Sequence, residues 1–223
     1  MASEGMELRG LYAVTPETAD TERLVARTLR CIEGGARLVQ YRAKSLDPAL
    51  ALEQARRLAR ECRAAGALFI VNDSVDLALA VRADGVHLGR DDMDPREARA
   101  RLPGALIGVS CYAQPERARA AAAAGADYVA IGSVFPSPTK AHAVRAPLEA
   151  IERAKVEGGL PVAAIGGIGP SNAARVVQAG ADMLAVISAL YDAADVCAAA
   201  LSISRLFHPS EGPRDVRAQP RAV

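Results

Sequence analysis

The stretch AAGADYVAIG, residues 123–132, decides the fold. It closes an alanine-rich, helix-like segment, turns at Gly125 and runs into a short apolar segment. Glycine suits the end of a helix because it takes the left-handed conformation without a Cβ penalty. A short apolar run with little alternation suits a strand covered on both faces, as in parallel sheets. The same phrase recurs as GGARLVQYR from residue 34, RADGVHLG from residue 82 and QAGADMLAVI from residue 178. Each copy predicts the same unit: helix, small-residue turn, buried strand.

Working outward from these copies gives eight predicted strands, at 11–15, 38–42, 68–73, 85–89, 106–110, 128–134, 162–166 and 184–188. Amphipathic segments rich in Ala, Arg, Glu and Leu lie between them. PALALEQARRLARECRAAG, residues 48–66, is the clearest, with apolar residues at helical spacing and a Gly stop. Residues 73–85 leave room for only a short helix. Eight alternating units in about 200 residues predict an α/β fold, a single-domain (β/α)8 TIM barrel. The competing doubly wound open sheet lacks a GxGxxG after its first strand. The barrel is expected over residues 10–207, after a polar segment 1–9. Residues 208–223 are rich in Pro and Arg without periodicity and are expected to be disordered.

Composition agrees with one large domain. Of 223 residues, 51% are hydrophobic but only 4% aromatic, with no Trp, so Ala, Val, Leu and Ile must fill the core. The net charge of +1 comes from interspersed acids and bases, which argues against nucleic acid as a partner, and no run reads as a membrane anchor. The first residues lack the apolar core of a signal peptide. Cys31, Cys62, Cys111 and Cys197 form no CxxC pair, so reduced thiols in a cytoplasmic protein are expected.

In such barrels the chemistry sits at the C-terminal ends of the strands. Asn72, Asp73 and Asp92 end strands three and four or follow them directly. Two carboxylates facing one pocket repel unless a proton or cation lies between them, and oxygen ligands select a hard cation such as Mg2+. Strand two ends VQYRAKS; Gln40, Arg42 and Lys44 point one way if the strand continues that far, and two cations with an amide suit a phosphate or pyrophosphate. Strand five offers Ser110, and the loop after strand six carries Ser137, Thr139 and Lys140. After strand seven, Gly166 and Gly167 open the backbone and Ser171 or Asn172 can cap the next helix. Strand eight ends AVISAL, and the loops after strands seven and eight are the usual phosphate site of this fold.

Each feature has a plainer reading. Asp73 before Ser74, taken alone, reads as a helix cap, and Asp92 beside Asp91 is ambiguous alone. Paired glycines after a strand can be a simple tight turn. Lys44 and Lys140 can be solvated, Ser110 a satisfied core hydroxyl, and Tyr12 a core residue. Thr15 and Tyr12 can line the pocket, although the core reading is the stronger for Tyr12, and His87, which can face the core or the helices, receives no role. The plain readings fail jointly, because they make polar groups at nearly every strand end accidental.

The ordered set VQYRAK, VNDSVDLA, DGVHLGRDD, GVSCY, PSPTK, AIGGI and AVISAL resembles the thiamine-phosphate synthase family, also called thiamine-phosphate pyrophosphorylase, over about residues 10–205. The resemblance implies a transferase of thiamine biosynthesis. It would join 4-amino-2-methyl-5-(diphosphooxymethyl)pyrimidine to 4-methyl-5-(2-phosphooxyethyl)thiazole, releasing thiamine phosphate and pyrophosphate. It further implies that Gln40, Tyr41, Arg42, Ala43, Lys44, Asn72, Ser110 and Lys140 contact the pyrimidine diphosphate. Arg42, Lys44, Ser110 and Lys140 would act in catalysis. Ser137, Pro138, Thr139, Gly167, Ile187 and Ser188 would surround the thiazole phosphate, and Asp73 and Asp92 would hold Mg2+. Many relatives carry Thr where Ser137 stands; a hydroxyl is retained. A homo-oligomer fits the family, although the residues carry no interface signature. Two rivals stand beside this expectation: a Schiff-base aldolase using Lys140, and a catalytically silent thiazole-phosphate binder or tautomerase-like isomerase on the same barrel.

Overall fold

The computed structural model describes residues 7–136 and 144–207. Among them, eight strands alternate with helices: β1 Gly10–Val14, β2 Ala36–Tyr41, β3 Leu68–Asn72, β4 Gly85–Leu88, β5 Leu106–Tyr112, β6 Tyr128–Gly132, β7 Val162–Ile165 and β8 Met183–Val186. Every strand pairs in parallel with its sequence neighbours, and β1 pairs with β8 to close the barrel. The open doubly wound sheet is therefore excluded. The helices are α1 Thr21–Glu33, α2 Pro48–Ala64, α3 Val75–Val81, α4 Pro95–Arg101, α5 Arg117–Ala123, α6 Glu149–Gly158, α7 Ala173–Gln178, α8 Ser188–Tyr191 and α9 Val196–Ser204.

Period-two alternation gives the barrel two apolar layers. Tyr12, Leu38, Ile70, Tyr128, Ala163 and Met183 pack together inside the barrel. Their neighbours Leu11, Val39, Phe69, Val129, Ala164 and Leu184 belong to the layer shared with the helices. Helix α2 starts where expected because Asp47 accepts hydrogen bonds from the Ala49 and Leu50 amides, with Pro48 at the first helical position. Helix α3 is as short as its segment requires, at seven residues.

The repeated phrase has a second content beyond its Gly turn. In three copies an Asp precedes the strand, and its carboxylate accepts the first amides of the strand before it. Asp84 takes the Phe69 N–H at 2.8 Å, Asp127 the Ile107 N–H at 2.7 Å, and Asp182 the Val162 N–H at 2.9 Å. Each therefore ties an odd strand to the following even strand at the N-terminal rim. That rim serves stability in this fold and leaves the opposite rim for chemistry.

Seven of the eight strands stop one or two residues before their expected ends; β5 runs two residues further. The residues beyond the ladder leave the sheet to build loops. Asp73 shows why: its φ of 64° is left-handed and ends β3 at Asn72. No described helix is long and apolar enough to cross a membrane. The expectations for residues 1–6 and 208–223 lie outside the described residues.

Candidate active site

A cavity of about 520 Å³ opens at the C-terminal ends of the strands. Gln40, Arg42, Asn72 and Ser110 line one arc of it, and Gly167, Ile187 and Ser188 line another. Expectations drawn from five different strand ends thus converge on one space.

Strand β2 stops at Tyr41, so the expected continuous row of Gln40, Arg42 and Lys44 needs correction. Gln40 and Arg42 do line the cavity, but Lys44 comes from the following loop. Two groups from the loop after β1 shape this turn. Thr15 Oγ1 accepts the Arg42 N–H at 2.9 Å, and the Glu17 carboxylate accepts the Lys44 and Ser45 amides at 2.8 and 3.0 Å. Those bonds, that of Lys44 first, hold the Glu17 carboxyl below its usual range. Glu17 carried no periodic or motif signal, and its role became visible only in space. Tyr41 points the other way and donates to Gln54 Oε1 at 2.9 Å, and Ala43 packs against the outer apolar layer. Neither side chain lines the cavity, so both can meet a ligand there only through their backbone.

Lys44 Nζ lies 2.8 Å from Asp73 Oδ2. The Asp92 carboxyl is close enough to Asp73 to share a hydrogen bond with it, and Asp92 Oδ2 accepts the Gly89 N–H at 2.7 Å. Burial pushes the Asp92 carboxyl above its usual range; the Gly89 amide opposes this, and the Asp73 carboxyl adds to it. Neither acid caps a helix. Ser74 caps α3 by accepting the Leu77 N–H, and Asp94 caps α4 by accepting the Arg96 N–H. The plain cap reading of Asp73 is therefore overturned. Two ionised acceptors cannot bond each other, so the pair calls for a shared proton or a cation. It stands as a pair: no group of three or more His, Cys, Asp or Glu able to hold a metal occurs among the described residues.

On the opposite arc, Gly166 and Gly167 have φ of 109° and 61°. A Cβ on Gly167 would lie 2.2 Å from the Pro136 carbonyl, so the loop closes only around glycine. Asn172 stands at the N-cap position of α7 but makes no cap bond. Instead its Oδ1 accepts the Gly169 N–H and its Nδ2 donates to the Gly167 carbonyl, both at 2.9 Å, locking the glycine loop. Ser188 opens the four-residue helix α8. Ser137, Pro138, Thr139 and Lys140 lie outside the described residues.

The cavity floor holds one group read mainly as core and one left without a role. Tyr12 and His87 both line it. Gln40 Nε2 donates to Tyr12 Oη at 2.8 Å, and the Tyr12 and Tyr128 hydroxyls are 2.8 Å apart. Tyr128 Oη is 3.1 Å from His87 Nδ1, and His87 Nε2 is 2.9 Å from Ser110 Oγ. Gly108 makes room for this. It sits between His87 and Tyr128 in the β4–β5–β6 register, so the two rings meet across a residue without a side chain.

Comparison with known proteins agrees with this geometry. Residues 11–190 match the sequence profile of the family described as thiamine monophosphate synthase. The chain is 56% identical over 201 residues to the thiamine-phosphate synthase of Aromatoleum aromaticum, covering 90% of this chain and 97% of that one. The thiamine-phosphate synthase of Chromobacterium violaceum matches with the same identity and coverage. In three dimensions the chain superposes on thiamine phosphate pyrophosphorylase from Pyrococcus furiosus with a TM-score of 0.79 at 38% identity, covering 90% of this chain and 96% of that one. With the barrel, the cavity and these likenesses together, the chain belongs to the thiamine monophosphate synthase family.

Proposed function

We propose that this protein is a thiamine-phosphate synthase. It joins 4-amino-2-methyl-5-(diphosphooxymethyl)pyrimidine to 4-methyl-5-(2-phosphooxyethyl)thiazole and releases thiamine phosphate and pyrophosphate. The observation that carries the reading, beside family membership, is the two-sided cavity. One arc is polar and adjoins the Lys44–Asp73–Asp92 cluster, and the other is glycine-lined. Such a space suits two phosphorylated reactants side by side.

On the polar side, Arg42 and Lys44 grip the diphosphate, while Gln40, Asn72 and Ser110 orient the pyrimidine. The departing pyrophosphate carries roughly three negative charges, so fixed cations lower the cost of its release. The donor set at Asp73 and Asp92 fits Mg2+, since hard carboxylate oxygens with one pKa pushed up by burial and a neighbouring acid favour an entering cation. When bound, Mg2+ would supply further charge neutralisation for the leaving group. The pyrimidine's amine stabilises the benzyl-like cation left behind, and the thiazole nitrogen captures it. The path is dissociative, so positioning matters more than a strong base. Gly167, Ile187 and Ser188 face the thiazole phosphate in this reading; Ser137, Pro138, Thr139 and Lys140 keep their family-implied roles as part of the proposal. The proposed setting is the cytoplasm, where the buried thiols of Cys31, Cys62 and Cys111 stay reduced.

A binder of the thiazole alone would have no use for the cationic and acidic side of the cavity. Arg42→Ala separates the two readings. For a synthase, steady-state kinetics should show a KM for the pyrimidine diphosphate raised about tenfold or more, with the KM for the thiazole phosphate within about twofold. Equal effects on both substrates would contradict the assignment of Arg42 to one arc.

A further inference from the structure

The five polar groups on and beneath the cavity floor form one unbroken chain: Gln40, Tyr12, Tyr128, His87, Ser110. They come from five different strands, and Tyr12 and Tyr128 are fully buried. Both ends, Gln40 and Ser110, line the cavity. Resting on the synthase reading, we infer that Tyr12, Tyr128 and His87 are positioning residues: the chain runs one way and presents Ser110 as a donor and Gln40 as an acceptor to the aminopyrimidine edge.

Proton counting gives the direction. Gln40 Nε2 can only donate, so Tyr12 Oη accepts from it. The Tyr12 hydroxyl then gives its single proton to Tyr128 Oη, its other hydrogen-bond partner among the described residues. Tyr128 in turn donates to His87 Nδ1, which must be bare. His87 is thereby held as the neutral Nε2–H tautomer and donates to Ser110 Oγ. No acceptor for the Ser110 proton occurs among the described residues, so it is left for a ligand. The reverse direction makes Tyr12 Oη accept twice and leaves its own proton without a partner in a fully buried place. An unpaired buried group costs about 1–3 kcal/mol, enough to set the direction.

The two ends then carry opposite polarity. Gln40 spends its Nε2 on Tyr12 and keeps Oε1 to offer as an acceptor; Ser110 offers a proton. A 4-aminopyrimidine shows the complementary pair on one edge, an amine that donates beside a ring nitrogen that accepts. A hydroxyl free to rotate would fit this edge only part of the time. The chain holds it in the useful orientation before the substrate arrives.

Two measurements test the inference. Long-range 1H–15N correlation on the free protein at neutral pH reads the His87 tautomer, with His87→Gln identifying its signals among the three histidines. Nε2–H with a bare Nδ1 is expected, whereas Nδ1–H or an imidazolium would overturn the direction. This arm needs no turnover, so it stands apart from the synthase reading. In kinetics, Tyr128→Phe should lower kcat/KM for the pyrimidine diphosphate about tenfold. In a Ser110→Ala background the same change should cost less than about twofold, because the residue acts through Ser110. Additive losses, or a drop in melting temperature with unchanged kinetics, would overturn the positioning role. Tyr12→Phe serves the same cycle if Tyr128→Phe fails to fold. A wild-type protein that turns over neither substrate would defeat the synthase reading and the substrate half of this inference, while the tautomer still decides the direction.

Discussion

Asp73→Asn and Asp92→Asn should each lower kcat by about a hundredfold or more while leaving the fold intact. The substitution keeps shape and removes one charge. Asp73 sits at φ 64°, a left-handed conformation that Asn tolerates better than most residues. At Asp92 the amide oxygen can still accept the Gly89 N–H. No cap is lost either, because Ser74 and Asp94 start the flanking helices. A melting temperature within a few degrees of wild type is therefore expected for each variant. The Mg2+ concentration needed for half-maximal rate should rise in both. In the double variant the losses should be less than additive, since one site can be lost only once. A chelator should abolish wild-type turnover and added Mg2+ restore it. Near-normal rates in both single variants, or full activity in metal-free buffer, would return these acids to a purely structural role.

Gly108→Ala is expected to be the costliest single methyl in the barrel interior. A Cβ at this position would lie 2.1 Å from Tyr128 Cζ, 2.4 Å from Tyr128 Oη and 2.5 Å from His87 Nδ1. These are ring atoms held on both sides by the sheet register, so neither can swing aside. Overpacking of this kind costs up to about 3 kcal/mol, and a chain of this size loses roughly 2–4 °C of melting temperature per kcal/mol. The ring movement should also break the Tyr128–His87 bond and lower kcat/KM. Thermal unfolding and steady-state kinetics on the same preparation check both effects. An unchanged melting temperature with unchanged kinetics would show that the two rings do not meet across Gly108.

The barrel was legible because its signal repeats. Four copies of one phrase gave helix end, turn and strand, and the remaining strands followed by spacing. At β6 and β8 the expected ends overran because apolar character continues past the last strand residue, at Val134 and Ile187. The candidate site was legible where a strand end carried a charge, an amide or a hydroxyl: Gln40, Arg42, Asn72 and Ser110 all reach one cavity. It was illegible where function depends on a partner distant in sequence. Asp73 looked like a cap because Ser74, the actual cap, stands beside it. Tyr12 looked like core, and His87 received no role, because an inward aromatic on an apolar strand carries no period of its own. Their partners Tyr128 and Ser110 lie 116 and 23 residues away along the chain. Asn172 looked like a helix cap, yet it spends both side-chain groups on the glycine loop.

The most direct test of the synthase reading is product analysis with both reactants. Purified protein, Mg2+, the pyrimidine diphosphate and the thiazole phosphate are incubated together, with each reactant omitted in turn. The reading predicts thiamine phosphate and pyrophosphate in equal amounts, only when both reactants are present. Binding of the thiazole phosphate without either product, under conditions where a known synthase turns over, would contradict it.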